Sequence, residues 1–190
     1  MSRERYGFIY VAITLVEHVP DKVYHYNLVS GALEHEQYED AVTCLALRRS
    51  GQGVSDRPVL FVQWLLTFGN QLACATSHGF AVIEEGSKLR YLNRPLPEAF
   101  QPFTRFNDGA CDKNGRFVAG TLYDKEHEVP GQLYIYDAER DACELLEPGP
   151  FTVYRLSQRS FRDFRLTALN SSTQDSNGLG WTNDGKTMWV

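Results

Sequence analysis

No apolar run in this chain is long enough for a membrane helix. The longest, Gly7 to Val16 and Val59 to Phe68, fall well short of the roughly 20 residues a span requires. No Cys-x-x-Cys pair occurs among the four cysteines at 44, 74, 111 and 143, which argues against a zinc ribbon and a thioredoxin-type redox centre. They read as reduced core residues of a cytoplasmic protein. Positive charge is not in excess either: 19 Lys and Arg face 24 Asp and Glu, a net charge of −5, so no global field favours nucleic acid. Also missing are H-E-x-x-H, a Walker loop, a G-x-S-x-G elbow and a Rossmann glycine fingerprint, and the five His lack ligand spacing. Zinc-peptidase, nucleotide-hydrolase and serine-hydrolase readings therefore have no support. The charged start, Met1 to Arg5, resembles that of a signal peptide, but Glu17-His-Val-Pro20 stands where small cleavage-site residues belong, so the first apolar run reads as a buried strand. Asn170-Ser-Ser172 fits a glycosylation sequon and reads as a polar loop.

What is present is the composition of one medium-sized globular core: 190 residues, 43% hydrophobic, with 15 Gly and 8 Pro. Two stretches repeat one another. Val23-Tyr-His-Tyr26-Asn-Leu-Val-Ser-Gly-Ala-Leu33 and Leu133-Tyr-Ile-Tyr136-Asp-Ala-Glu-Arg-Asp-Ala-Cys143 each read as an aromatic-rich alternating strand, a polar turn and a return. A second pair runs from Asn107 to Val118 and from Asn177 to Met188, with Asn and Gly at the same separation in both. Cys44 to Gly51 reads as a degenerate copy.

Short strands joined by Gly-bearing turns, with no convincing amphipathic helix between them, predict an all-β chain of the β-propeller type. At roughly 40 to 50 residues per blade the chain supplies about four. Stretches 22–50, 71–92, 107–147 and 177–190 are expected in successive blades of a single partial domain over 1–190, the last cut off in mid-strand. The exposed strand edges this leaves would favour self-association. Segments 53–70 and 154–173 fit the rhythm badly and read as insertions. In the second, Arg155, Arg159, Arg162 and Arg165 stand among Tyr154, Phe161 and Phe164; on a helix they would make a cationic face for RNA or an acidic membrane, while a solvated insert suits the acidic chain better. Neither nucleic acid nor a membrane is an expected partner.

Candidate chemistry is confined to the polar groups Arg105-Phe-Asn107-Asp108-Gly109 and Ser176-Asn177-Gly178. Asn-Asp-Gly and Asn-Gly are hairpin dipeptides that accept positive φ, which is one reading of both. In a propeller, however, equivalent inner-strand residues converge on one end of the channel. Asn107 and Asn177 are such a pair. Their amide oxygens suit a hard divalent ion if carboxylates supply charge, and Arg105 stands close enough to hold an oxygen-rich anion or a sugar hydroxyl.

Arg105-Phe-Asn-Asp-Gly-x-x-Asp112-x-x-Gly115-Arg116-x-x-x-Gly120-Thr121, followed by Gly131-x-Leu-Tyr134 and Ser176-Asn-Gly-Leu-Gly-Trp181-x-x-Asp184-Gly-Lys186, resembles the gluconolactonase, regucalcin and senescence-marker-protein family. The resemblance is specific over 105–137 and 176–190 and looser over 20–50 and 71–92. It implies a six-bladed β-propeller, here incomplete, with one divalent metal in the channel (Ca or Zn, alternatively Mg or Mn) hydrolysing sugar lactones. It further implies Asn107 and Asn177 on the metal or its water, and Arg105 and Asp108 as substrate-binding residues, with Asp108 bracing the loop from beside Asn107. Three features depart from the family. Its first-blade Glu turn has no counterpart beyond Glu4, its general-base Asp belongs to a blade past residue 190, so no catalytic residue is assigned, and its substrate-contacting Glu has only Asp124 nearby. The expected activity is accordingly metal-dependent lactone hydrolysis that is weak or lost in this chain. The alternatives are a non-catalytic propeller module binding calcium or a metabolite, and a partial, aberrantly read gene product.

Overall fold

The structure, a computed structural model, describes residues 8–12, 21–27, 29–47, 72–147, 151–154, 157–158, 164–165, 168–173, 178–184 and 187–189. Every regular element among them is a strand, as expected, and none of the described residues forms a helix long and apolar enough to cross a membrane. The first sheet runs in the order β1 (Phe8–Ala12), β2 (Lys22–Asn27), β3 (Leu33–Gln37). Two four-stranded antiparallel meanders follow. One contains β4 (Cys44–Leu47), β5 (Leu72–Ala75), β6 (Phe80–Glu84) and β7 (Lys88–Asn93); the other contains β8 (Phe106–Cys111), β9 (Phe117–Thr121), β10 (Leu133–Asp137) and β11 (Ala142–Glu147). The remaining strands are β12 (Phe151–Tyr154), β13 (Ser157–Gln158), β14 (Phe164–Arg165), β15 (Ala168–Thr173), β16 (Gly180–Trp181) and β17 (Met188–Trp189). They form a sheet in the order β15-β12-β17-β16 and a ribbon of β13 with β14.

Local turn chemistry explains the repeat. At the end of β2 the Asn27 side chain accepts from the backbone N–H groups of Val29 and Ser30 at 2.9 and 3.0 Å. At the end of β10 Asp137 accepts from Glu139 and Arg140 at 3.0 and 3.3 Å. Four residues beyond each, Gly31 and Asp141 take left-handed φ values of 71° and 48°. The two hairpins are one device, an Asx turn closed by a residue that tolerates positive φ. By this equivalence β1, β2 and β3 correspond to β9, β10 and β11, the outer three strands of a blade.

The sheets pack face to face in chain order. Val23, Tyr38 and Val42 meet Leu72, Cys74, Ala81 and Ile83 between the first and second sheets. Between the second and third, Phe80 lies 5.3 Å from the ring of Phe106, 5.3 Å from that of Phe117 and 5.8 Å from that of Tyr136. Between the third and fourth, Met188 packs on Val118, Leu133 and Ile135. Strands β9 and β10 are buried along their whole length because sheets cover both of their faces. The first strands β4 and β8 lie against one another. Face-to-face meanders with their first strands together are the blades of a propeller.

Three expectations need correction. Cys44–Leu47 does not end the first blade: it pairs with Leu72–Ala75 and opens the second, so 48–71 interrupts a hairpin within one sheet. Segment 53–70 itself lies outside the described residues. The described part of 154–173 is strand, not helix or loop: β15, which contains the sequon, pairs with β12, and β13 pairs with β14. The β-branched and aromatic residues of Phe151-Thr-Val-Tyr154 favour this state. Arg165 lies in β14, while Arg155, Arg159 and Arg162 lie outside the described residues. Finally, β17 is not an open edge, because Met188 pairs with Trp181 on one side and Tyr154 on the other.

Phe80 is fully buried and joins two sheets through three rings. Phe80→Ala should therefore lower unfolding free energy by about 3–5 kcal/mol in denaturant titration, while Phe80→Leu should lose markedly less.

Candidate functional site

Strand β8 begins at the end of the molecule where the connections 94–105 and 122–132 meet. Leu122 donates its N–H to the carbonyl of Arg105 at 3.0 Å, and the Thr104 hydroxyl donates to the carbonyl of Leu122 at 2.6 Å. Phe106, fully buried, donates its N–H to the carbonyl of Ser77 at 3.0 Å in the turn between β5 and β6. That turn is closed by Thr76, whose side chain accepts from the N–H of Gly79 at 3.3 Å. Thr121 closes the equivalent connection of the next blade, accepting from Gln132 at 2.9 Å. Two matching threonines thus frame the start of β8.

The register of β8 slips between Phe106 and Asp108, which face Thr121 and Gly120, leaving Asn107 as the extra residue of a bulge. The hairpin reading of Asn107-Asp-Gly109 is therefore wrong. These residues lie inside a strand and none has positive φ; the turn comes at Gly115, with φ of 80°. Its Asp112 side chain accepts from the N–H groups of Asn114 and Arg116 at 2.8 and 3.0 Å and pairs with the buried Arg116 guanidinium.

Arg105 donates to the carbonyl of Phe106 at 2.9 Å and to Oδ1 of Asn107 at 3.2 Å. Burial pulls its pKa below the ordinary guanidinium value. Among the described residues no carboxylate bonds to it, in contrast to Arg116. Asp108 accepts from the N–H of Gly109 at 2.7 Å and from that of Gly178 at 2.5 Å, tying β8 to the chain that leads into β16. The structure thus brings Arg105, Asn107 and Asp108 together at the start of β8. Asn177 and Glu4 lie outside the described residues.

The described residues do not build a metal site. They contain no group of three His, Cys, Asp or Glu side chains placed to hold an ion, and the amide oxygen of Asn107 already accepts from a cation. Nor do they supply a nucleophilic thiol: burial pushes Cys44 up and raises Cys74 to about 12, Cys111 to about 11 and Cys143 to about 12.

Sequence reasoning missed the supports around β8. Tyr91 donates to Asp40, which also accepts from the N–H of Ala41 at 2.7 Å and from the Ser77 hydroxyl. Burial alone would raise the Asp40 pKa, but these bonds and nearby His78 outweigh it and hold the carboxyl below its usual range. The available signal was Thr76 and Thr121, each ending a second strand. His127 on the 122–132 connection was also missed, because a single exposed His carries no pattern.

The family described as SMP-30/Gluconolactonase/LRE-like region matches residues 12–190. The chain belongs to this family. Among curated proteins no sequence match is found. The fold is similar to that of a luciferin-regenerating enzyme, with a TM-score of 0.60 at 15% identity over 97% of this chain and 48% of that one. A second similar structure is regucalcin, a calcium-binding protein from Agrobacterium tumefaciens strain C58, with a TM-score of 0.48 at 17% identity over 72% of this chain and 40% of that one. This member of the SMP-30/gluconolactonase family has the β-propeller fold and spans about half the length of the luciferin-regenerating enzyme.

A Cβ on Gly109 would stand 2.7 Å from the carbonyl oxygen of Val118, 2.8 Å from the Ala119 Cβ and 2.9 Å from the Cys44 Sγ. Gly109→Ala should destabilise the chain by about 1–3 kcal/mol in thermal or denaturant melts, and Cys44→Ala, which leaves both Val118 and Ala119 in place, should not restore it. The Asp40 carboxylate, with its lowered pKa, contributes stability above about pH 4 that is lost as pH falls through its native value. Asp40→Asn should flatten that acid limb of a stability–pH curve.

Proposed function

We propose that the end of the propeller at the start of β8 binds small sugar lactones and opens them slowly, as befits a lactonase-like family. The observation that carries the proposal is the Arg105–Asn107 pair on the bulge, a half-buried guanidinium without a carboxylate partner among the described residues beside an amide. A lactone presents a ring carbonyl and flanking hydroxyls. The guanidinium suits the carbonyl oxygen, and gains most when that oxygen becomes an anion on attack by water. The amide suits a hydroxyl, as donor or acceptor. Asp108, holding two backbone N–H groups, keeps this stretch of β8 in place.

The family implies one divalent ion, Ca or Zn and alternatively Mg or Mn, but the described donors do not fit one. A second reading, binding without turnover, is favoured by Asp108, whose carboxylate beside Asn107 is committed to two backbone N–H groups.

Hydrolysis of gluconolactone by the full chain, measured with added divalent metal and with chelator, tests both. Turnover above the spontaneous rate, falling about 10²- to 10³-fold in Arg105→Met as expected for a lost oxyanion donor, supports the proposal. Lactone uptake without turnover selects the binding module. Arg105→Met and Asn107→Ala proteins that bind lactone as well as the unmodified chain would overturn the site itself.

A further inference from the structure

The connection 122–132 carries an aspartate–histidine pair that neither family membership nor the Arg105 site accounts for. Asp124 and Val129 exchange backbone hydrogen bonds at 3.0 and 2.9 Å, closing a small loop. Inside it, Oδ1 of Asp124 accepts from the backbone N–H of His127 at 2.8 Å and lies 3.1 Å from Nδ1 of the His127 ring. The ring stacks on Phe103, with centroids 3.9 Å apart and planes at 22°. The imidazole is therefore fixed in direction by its carboxylate and in plane by its phenyl neighbour. With Nδ1 donating to the carboxylate, Nε2 carries the lone pair. The backbone N–H and then the ring of His127 hold the Asp124 carboxyl below its usual range, so it is ionised at neutral pH and suited to that task.

The pair is also tied to the site. Phe103 is two residues from Arg105, at most about 7 Å of chain between their Cα atoms. Leu122, two residues before Asp124, is hydrogen-bonded to Arg105 itself. Both ends of the dyad's scaffold are thus anchored within two residues of the Arg105 backbone.

Resting on the lactone reading above, we propose that His127, oriented by Asp124 and Phe103, is the general base of this site. Nε2 takes a proton from water as the water oxygen bonds to the ring carbonyl carbon. The carbonyl electron pair moves to oxygen, facing Arg105. The carbonyl then re-forms, the bond from the acyl carbon to the ring oxygen breaks, and that oxygen takes the proton back from the imidazolium, leaving the hydroxy acid and a neutral imidazole. Water and lactone are the only reactants.

The test uses the full chain with gluconolactone for turnover and the corresponding lactam, which resists hydrolysis, for binding. His127→Gln should lose about 10²-fold or more of the turnover while binding the lactam within about twofold of the unmodified chain. Asp124→Asn should lose less, and added imidazole should restore turnover to His127→Gly. A His127→Gln chain with full turnover, a His127→Gly chain that imidazole does not rescue, or an unmodified chain that binds lactam but shows no turnover would each overturn the role of His127. Failure of the underlying lactone reading looks different: Arg105→Met would then leave lactam binding unchanged.

Discussion

The arrangement at this end of the molecule depends on how closely two inner strands approach. Gly109 on β8 faces Cys44 on β4 with no room for a methyl group between the strands. Everything around the site is referred to that contact. It sets the depth of β8, and the bulge one turn of the pleat earlier decides which residue is turned out of the ladder. Asp108, between the two, passes the position on to the neighbouring inner strand through the N–H of Gly178. The aromatic cluster around Phe80 packs those sheets together, but such adhesion is not directional. The glycine contact and the carboxylate joint specify where the side chains stand.

Two arginines eleven residues apart show how one residue type is put to different uses. Arg116 is buried against Asp112, its charge neutralised where it would otherwise be desolvated without compensation. Losing either partner of such a pair costs about 3–5 kcal/mol, so its role is to hold the turn after β8. Arg105 is half-buried and, among the described residues, meets only neutral oxygens. A guanidinium that bears desolvation without a counter-charge gives up stability in exchange for an open demand for negative charge. That is the electrostatic state a binding residue needs and a structural one avoids.

Much of the fold was legible because it is written locally. Asn27 and Asp137 cap equivalent hairpins through bonds to the next two or three residues, and such chemistry shows in a single sequence. The all-β class, the propeller repeat and the cluster of Arg105, Asn107 and Asp108 followed from signals of this kind. What depends on distant pairing was not legible. Cys44–Leu47 was assigned to the wrong blade because its partner strand lies beyond a connection of two dozen residues. Asn107-Asp-Gly109 was open to a turn reading because the dipeptide preference is the same whether glycine is chosen for positive φ or for close packing. The close contacts with Val118, Ala119 and Cys44 decide between them. His127 was invisible for the opposite reason: its orientation comes from Asp124 and Phe103, and neither contact has a signature in residue order.

The fourth sheet is wired differently from the others. In the meanders each strand pairs with its successor, whereas β17 is flanked by β16 and by β12, whose Tyr154 precedes its partner Met188 by 34 residues. Closing a loop of that length, rather than the five-residue separation of Asp137 and Ala142, raises the entropy cost by roughly 1.5–2 kcal/mol on logarithmic scaling. A sheet that gained its outer strands only after its first hairpin would form late and melt separately. Amide hydrogen exchange would then divide this propeller by order of assembly and not by blade, with Gly178, the anchor of Asp108, on the side that opens first.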